Sequence, residues 1–189
     1  QEGKAFFEVA YGLREKESTE EVGLIYSRIN NPDLEILETR LKLWDKAEDC
    51  AVFESGMAAI STVLLEFLKP GDVLLYSSPL YGGTDHFIND FLNKIGVHTI
   101  AFTPNDSKED ILKRLKNSGL ANKLSMIFIE TPANPTNALI DIEMCKSIAD
   151  LYSSLDTKVH LAVDNTYMGP LWQHPLKHGA DFVLYSATK

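Results

Sequence analysis

The sequence predicts an α/β fold: a three-layer large domain around a mostly parallel sheet. Three features predict it. Short apolar runs recur from residue 51 to the end of the chain, with helical segments between them. Runs such as Val73-Leu-Leu-Tyr76 are apolar without alternation, as strands covered on both faces are. Breakers such as Lys69-Pro-Gly-Asp72 and Gly96 separate helix from strand. Strands that alternate with helices are joined by crossovers, and crossovers pair strands in parallel.

The elements follow in order. Gly12 to Asn31 is polar and weakly periodic and reads as an extended arm or loop. Asn31-Pro-Asp33 opens a helix, with Pro in the first turn and Leu34, Leu37, Leu41 and Trp44 on one face. Ala51-Val-Phe53 reads as a short strand, and Ser55 to Leu68 as a helix stopped by Pro70-Gly71. Val73 to Tyr76 is a strand, Thr84 to Ile95 a helix, and Val97 to Phe102 a strand. Ser107 caps an amphipathic helix that runs to Lys116. Leu124 to Ile129 is a strand, Ile142 to Tyr152 a helix, and Val159 to Val163 and Phe182 to Tyr185 are strands.

Composition excludes several functions. The chain has 189 residues, 44% of them apolar and 24% charged, with a net charge of −9. That charge argues against a nucleic-acid binder, which needs a basic face for phosphates. It also argues against an anionic membrane surface. The longest near-apolar run, Met57 to Leu65, is far short of a membrane span. Gln1-Glu-Gly-Lys4 carries no signal peptide, and a start without Met suggests that the natural N-terminus is missing. Cys50 and Cys145 share no motif and are expected to be free thiols in a reducing, cytoplasmic compartment. The five histidines, His86, His98, His160, His174 and His178, show no metal-ligand spacing, so no metal is expected.

Ligands of open α/β sheets bind beyond the carboxyl ends of the strands. The segments there offer small residues, hydroxyls, a ring, an Asn, carboxylates and a lysine, which suit a phosphorylated planar cofactor. Ser55-Gly-Met57 opens a helix, whose free N–H groups can hold a phosphate. An ordinary Ser cap with a packing Gly explains the same residues. Dinucleotide and nucleoside-triphosphate fingerprints are absent. Asp164 ends an apolar run, where it can keep a pyridine nitrogen protonated or simply cap a turn. Lys189 could form a Schiff base if burial or positive charge lowers its pKa; most lysines are solvated. Ser186 and Thr188 alternate with it and can donate to phosphate. Tyr81, in Pro-Leu-Tyr-Gly-Gly83, could stack on a flat ring or pack on the domain. Arg28, in Tyr26-Ser-Arg28, suits phosphate, but its arm is remote in sequence.

Together these motifs resemble the Cys/Met metabolism family of pyridoxal-phosphate enzymes, fold type I. The family includes cystathionine γ-lyase, cystathionine γ-synthase, cystathionine β-lyase, methionine γ-lyase and the O-acetylhomoserine sulfhydrylases. The resemblance runs from Tyr26-Ser-Arg-Ile-Asn-Asn-Pro32 to Lys189, with six motifs in the family's order. It implies pyridoxal 5'-phosphate as cofactor and Lys189 as its Schiff-base partner. Ser186 and Thr188 resemble the phosphate-binding hydroxyls, joined by the backbone of Gly56 and Met57. Tyr81 resembles the stacking ring that aids substrate proton transfer. Asp164, with Thr166 beside it, resembles the pyridine-nitrogen partner. Asn134, in Glu130-Thr-Pro-Ala-Asn-Pro-Thr136, resembles the residue near the phenolic oxygen, and Glu130 stands close by. Tyr26 and Arg28 resemble the pair that reaches the phosphate of a neighbouring subunit.

The resemblance therefore implies an arm over residues 1–32 and a cofactor-binding large domain over 33–189, incomplete at Lys189. Dimers sharing active sites would assemble into a homotetramer. A smaller C-terminal domain, not in this chain, would supply the arginine for the substrate carboxylate. The substrate class is a sulfur amino acid or an activated homoserine. Methionine γ-lyases typically carry Cys where this chain has Gly83; Tyr-Gly-Gly-Thr84 is more like cystathionine γ-lyases, γ-synthases and sulfhydrylases, which favours chemistry at the γ-carbon, and γ-elimination of cystathionine-lyase type is the first expectation. The alternatives are γ-replacement of the γ-synthase or sulfhydrylase type, methionine γ-lyase activity, and a non-catalytic binding domain. The last is disfavoured because the family's lysine, aspartate and tyrosine are all present.

Overall fold

The computed structural model describes residues 4, 7–9, 11–15, 27 and 31–189. The chain divides into two compact units, residues 1–52 and 53–189. The helix that begins at Pro32 falls within the first of these units.

In the first unit, α1 spans Pro32–Asp45. Asn31 caps it, its side-chain oxygen accepting from the N–H groups of Asp33 and Leu34. Proline at the first helical position costs nothing, because that N–H would have no intrahelical partner. The expected apolar face is largely exposed, with Leu34, Leu37 and Trp44 all on the surface. The expected strand at Ala51–Phe53 does not form. The Val52 N–H donates to Glu38 Oε1 at 2.9 Å, so a helix side chain takes the place of a ladder partner.

In the second unit, five strands form one parallel sheet in the order β2-β1-β3-β4-β5. The strands are β1 Val73–Ser77, β2 His98–Phe102, β3 Leu124–Glu130, β4 His160–Asp164 and β5 Phe182–Leu184. Alternate residues of each strand feed opposite cores, as a period of two demands. On one face, Val73, Leu75, Ile127, Ile129, Leu161 and Val163 pack with helices α4 (Lys108–Asn117) and α5 (Ile142–Tyr152). On the other, Leu74, Tyr76, Met126, Phe128, Ala162 and Leu184 pack with α2 (Gly56–Phe67) and the segment 82–92. This is the three-layer arrangement that the alternating runs predict.

The segment expected as one helix over Thr84–Ile95 is two pieces. A short helix α3, Gly82–His86, passes into a π-helical stretch, Phe87–Leu92. Asn89 sits in that stretch; its side-chain amide donates to the Asp85 carbonyl and carboxylate, and its side-chain oxygen accepts from the Tyr76 hydroxyl. Side-chain amides that take backbone partners loosen the regular helical ladder. Elsewhere the local rules hold. Ser107 and Asp110 form a reciprocal capping box at the start of α4. Gly71, with φ of +94°, supplies the turn between α2 and β1 that a side chain would strain.

Truncating Phe128, fully buried against α2, to Ala should cost about 3–5 kcal/mol. Ser107→Ala should cost only about 1 kcal/mol through the lost cap. Urea unfolding of both variants checks the ranking.

Candidate cofactor cleft

Parallel pairing puts the carboxyl ends of all five strands on one edge of the sheet. The chain leaves β1 toward β2 on one side, yet β3 pairs with β1 on the other. Connections that depart in opposite directions leave a crevice at that edge. A cleft of about 180 Å³ opens at this end of the sheet, lined by the ends of β3 and β4, the start of α2 and the segment after β5.

The start of α2 forms one wall, with Ser55, Gly56, Met57 and Ile60 lining the cleft. Ser55 Oγ accepts from the Ala58 N–H at 3.1 Å. That leaves the amides of Gly56 and Met57 for an anion, in the partial positive field of a helix start. Gly56 meets the segment after β5 closely. A Cβ on Gly56 would lie 2.8 Å from the Ser186 Cβ, so only glycine lets the two segments approach. Ser186 is anchored in turn, its N–H donating to Thr166 Oγ1 at 2.9 Å. Its own hydroxyl lies 3.3 Å from that of Thr188. Thr188 is exposed and does not itself line the cleft, whereas Lys189 does; the Lys189 side chain is exposed.

The opposite wall is acidic. Asp164 is 6% exposed, and Oδ1 accepts from the Thr166 N–H at 3.0 Å. Burial pushes its carboxyl above the usual range, and the Thr166 hydrogen bonds only partly oppose this. Glu130 pairs with Asp164 in the β3–β4 register and is 5% exposed. Burial raises its carboxyl too, opposed by hydrogen bonds from the amides of Tyr81 and Asn134 and assisted by the charge of Asp164. Tyr81 is 44% exposed and shows its ring to the cleft wall. Gly83 makes room for that ring, since a Cβ there would fall 2.7 Å from Tyr81 Cε1 and 3.2 Å from Met57 Sδ. Asn134 and Thr166 complete the lining.

Behind the cleft, Asn165 is fully buried, and its side-chain NH₂ lies within hydrogen-bond distance of the Gly169 and Gln173 carbonyls and the Tyr185 hydroxyl. Gln173 donates to the Thr131 carbonyl and to Asn165 Oδ1. This network ties the residues that follow β3, β4 and β5, so the wall does not depend on loop conformation alone.

Of the residues singled out in the sequence, Ser55, Gly56, Met57, Tyr81, Asn134, Asp164, Thr166, Ser186 and Lys189 share this one cleft. Thr188 stands beside it through Ser186. Tyr26 and Arg28 lie outside the described residues. Ile60 and Tyr167 also line the cleft and were not anticipated. Ile60 follows Gly56 by one helical turn, which the helix period could have flagged. Tyr167 directly follows the Asp164-Asn-Thr166 motif. Among the described residues, no cluster of His, Cys, Asp and Glu could hold a metal, and no helix is long and apolar enough to cross a membrane.

The donor set fits a phosphorylated pyridine: a glycine-led helix start, the Ser186 hydroxyl with that of Thr188 beside it, a lysine and a buried carboxylate belong to one cleft. Fold and cleft together define a fold type I pyridoxal-phosphate class of protein. The family model described as "Cys/Met metabolism PLP-dependent enzyme" matches residues 6–189, and the chain belongs to that family. It is 36% identical over 170 residues to an L-methionine γ-lyase of Treponema denticola, covering 90% of this chain and 40% of that protein. It is 37% identical over 168 residues to human cystathionine γ-lyase, covering 88% and 38%. A solved structure from Campylobacter jejuni, assigned as an O-acetylhomoserine (thiol)-lyase, superposes with a TM-score of 0.77 at 32% identity, covering 90% of this chain and 39% of that one. That structure carries N'-pyridoxyl-lysine-5'-monophosphate at one position. The chain thus spans about two fifths of the length of the curated relatives it matches.

Two expectations follow. Gly83→Ala should leave the fold intact but displace the Tyr81 ring, weakening pyridoxal phosphate binding about tenfold, the scale of one aromatic stacking contact. Titration of the variant with the cofactor checks this. Asp164 titrates higher in the folded chain than in the unfolded one, so the folded state binds its proton more tightly. Its contribution therefore makes stability fall as pH rises from about 4 through the raised folded value. Asp164→Asn should flatten that fall in the cofactor-free protein, measured by urea unfolding across a pH series, while cofactor affinity drops.

Proposed function

We propose that this chain is the cofactor-binding part of a pyridoxal-phosphate enzyme of sulfur amino-acid metabolism that breaks a C–S bond at Cγ of its substrate. The observation that carries the reading is the meeting, in one cleft, of Lys189, the buried Asp164 and the Gly56–Ser186 contact. Three segments far apart in sequence supply an amine, an acid and an anion cradle at the sheet edge where ligands of such folds bind.

When bound, the cofactor supplies an electron sink for charge that develops at the substrate α-carbon. The chain's own residues do the rest. The amides of Gly56 and Met57 and the hydroxyls of Ser186 and Thr188 bind the phosphate. Asp164 holds a proton on the pyridine nitrogen, and Thr166 keeps its carboxylate oriented. Tyr81 would hold the ring and exclude water, and Asn134 would orient the phenolic oxygen. Lys189 would hold the cofactor, and its amine could take the α-proton of the substrate. Tyr26 and Arg28 reach the phosphate of a neighbouring subunit, so dimers share active sites and pair into a tetramer. The arm is residues 1–32, and the large domain begins at 33. Cytoplasmic residence belongs to the same reading; it draws on two free thiols, with that of Cys145 pushed by burial up to about 12.

Elimination is the first reading because the curated relatives above are named γ-lyases. Replacement on an activated homoserine is the second, motivated by the Campylobacter structure. Products separate them. Full-length protein would be offered cystathionine, methionine, and O-acetyl- or O-succinylhomoserine with and without a thiol or sulfide. Release of 2-oxobutyrate without a nucleophile supports elimination, and thioether formation supports replacement. Lys189→Ala should lose turnover by roughly 10³-fold or more. Borohydride treatment of the loaded wild type should leave a pyridoxyl group on Lys189, read by mass spectrometry. Turnover kept by the Lys189→Ala variant would sink the reading.

A further inference from the structure

The cleft has a mechanical weak point. The segments leaving β1 and β3 diverge at the crevice where the strand order reverses, and past the strand ends no ladder bonds join them. The first segment carries Tyr81 and the second carries Asn134. A ligand that must meet both a ring and a side-chain amide needs these two segments held in one relative position.

One side chain joins them. Glu130, the last residue of β3, accepts from the Tyr81 N–H through Oε2 at 2.5 Å and from the Asn134 N–H through Oε1 at 2.9 Å. Each carboxylate oxygen takes a different segment. The base of this residue is fixed as well, because its own N–H donates to Ser77 Oγ at 3.1 Å, and Ser77, at the end of β1, is fully buried. Glu130 therefore bridges β1 to the β3 segment from both its backbone and its side chain. An acid buried beside Asp164 carries a desolvation cost, and among the described residues no lysine or arginine forms an ion pair with it; two backbone N–H groups are what it receives. An apolar residue would fill the space without that cost but could join neither segment.

We propose that Glu130 is a positioning residue, a two-point clamp whose carboxylate sets the separation of the Tyr81 and Asn134 segments and so the geometry of the ligand cleft. The clamp rests on the functional reading above only for the identity of the ligand. Glu130→Gln tests it with nearly unchanged shape. A side-chain amide has one acceptor oxygen, so it can serve one of the two N–H groups while its NH₂ opposes the other.

Two readouts are taken on the full-length protein. In the cofactor-free state, hydrogen exchange of the Tyr81 or Asn134 amide should rise about tenfold or more in Glu130→Gln, while the core amides of Leu74 and Leu75 stay within about twofold. In titrations, the Kd for pyridoxal phosphate should rise about tenfold, and kcat should fall more than KM changes, as expected when reacting groups are misplaced. Glu130→Asp keeps the charge but is one methylene shorter and cannot span both amides; it should show the same pattern, and it replaces Gln if that variant does not fold. Unchanged exchange at both amides, a uniform rise across the sheet, or wild-type cofactor affinity in Glu130→Asp would each overturn the clamp. If the wild type itself fails to bind pyridoxal phosphate, the functional reading fails, and the exchange pattern still decides the clamp.

Discussion

Everything at the cleft depends on the parallel ladder of β1, β3, β4 and β5. Parallel register brings Glu130 opposite Asp164 and delivers Leu184 beside Asp164, so the chain beyond each strand emerges at one edge. An antiparallel neighbour would send one of those ends to the far side. The residues that line the cleft come from five separated stretches, and no local interaction could assemble them. The ladder does so because β1, β3 and β4 are apolar on both faces and are covered by helices on both.

Steric exclusion refines what the ladder assembles. Gly56 and Gly83 are needed for space rather than for backbone freedom. At Gly56 a methyl group would strike the backbone and Cβ of Ser186, and at Gly83 it would strike the ring of Tyr81. The first contact closes the anion cradle, and the second leaves the ring room beside Met57. These are small distances, but interiors are packed densely enough that a methyl group is felt.

Charge is the expensive part of the design. Two acids, Glu130 and Asp164, are buried side by side in the lining of the cleft, and burial raises both. Backbone and hydroxyl donors stabilise them only in part. A cation brought by a ligand would offset the remaining cost at Asp164, which couples ligand binding to the stability of the fold. Behind them, Asn165, Gln173 and Tyr185 are joined by hydrogen bonds that tie the segments after β3, β4 and β5.

Much of the fold was legible in the sequence, because short apolar runs and helix stop signals are local and the strands are buried on both faces. Helix α5 matches the predicted span, and α2, α4 and the five strands match to within a residue or two. The misses share a cause. Ala51–Phe53 looks like a strand, but the Glu38 carboxylate takes the Val52 amide; Thr84–Ile95 looks like one helix, but it turns π-helical over Phe87–Leu92, where Asn89 bonds to Asp85 and Tyr76. Both are decided by side chains that periodicity does not weigh. At the site, residue types alone determined the chemistry on offer: an amine, an acid, hydroxyls, a ring and a glycine-led helix start. Only the tertiary structure decided that Asp164 and Glu130 stand together, that Glu130 holds two segments at once, and that Gly56 touches Ser186. Those facts depend on strand order and register, which arise from long-range packing and leave no mark in any single stretch of sequence.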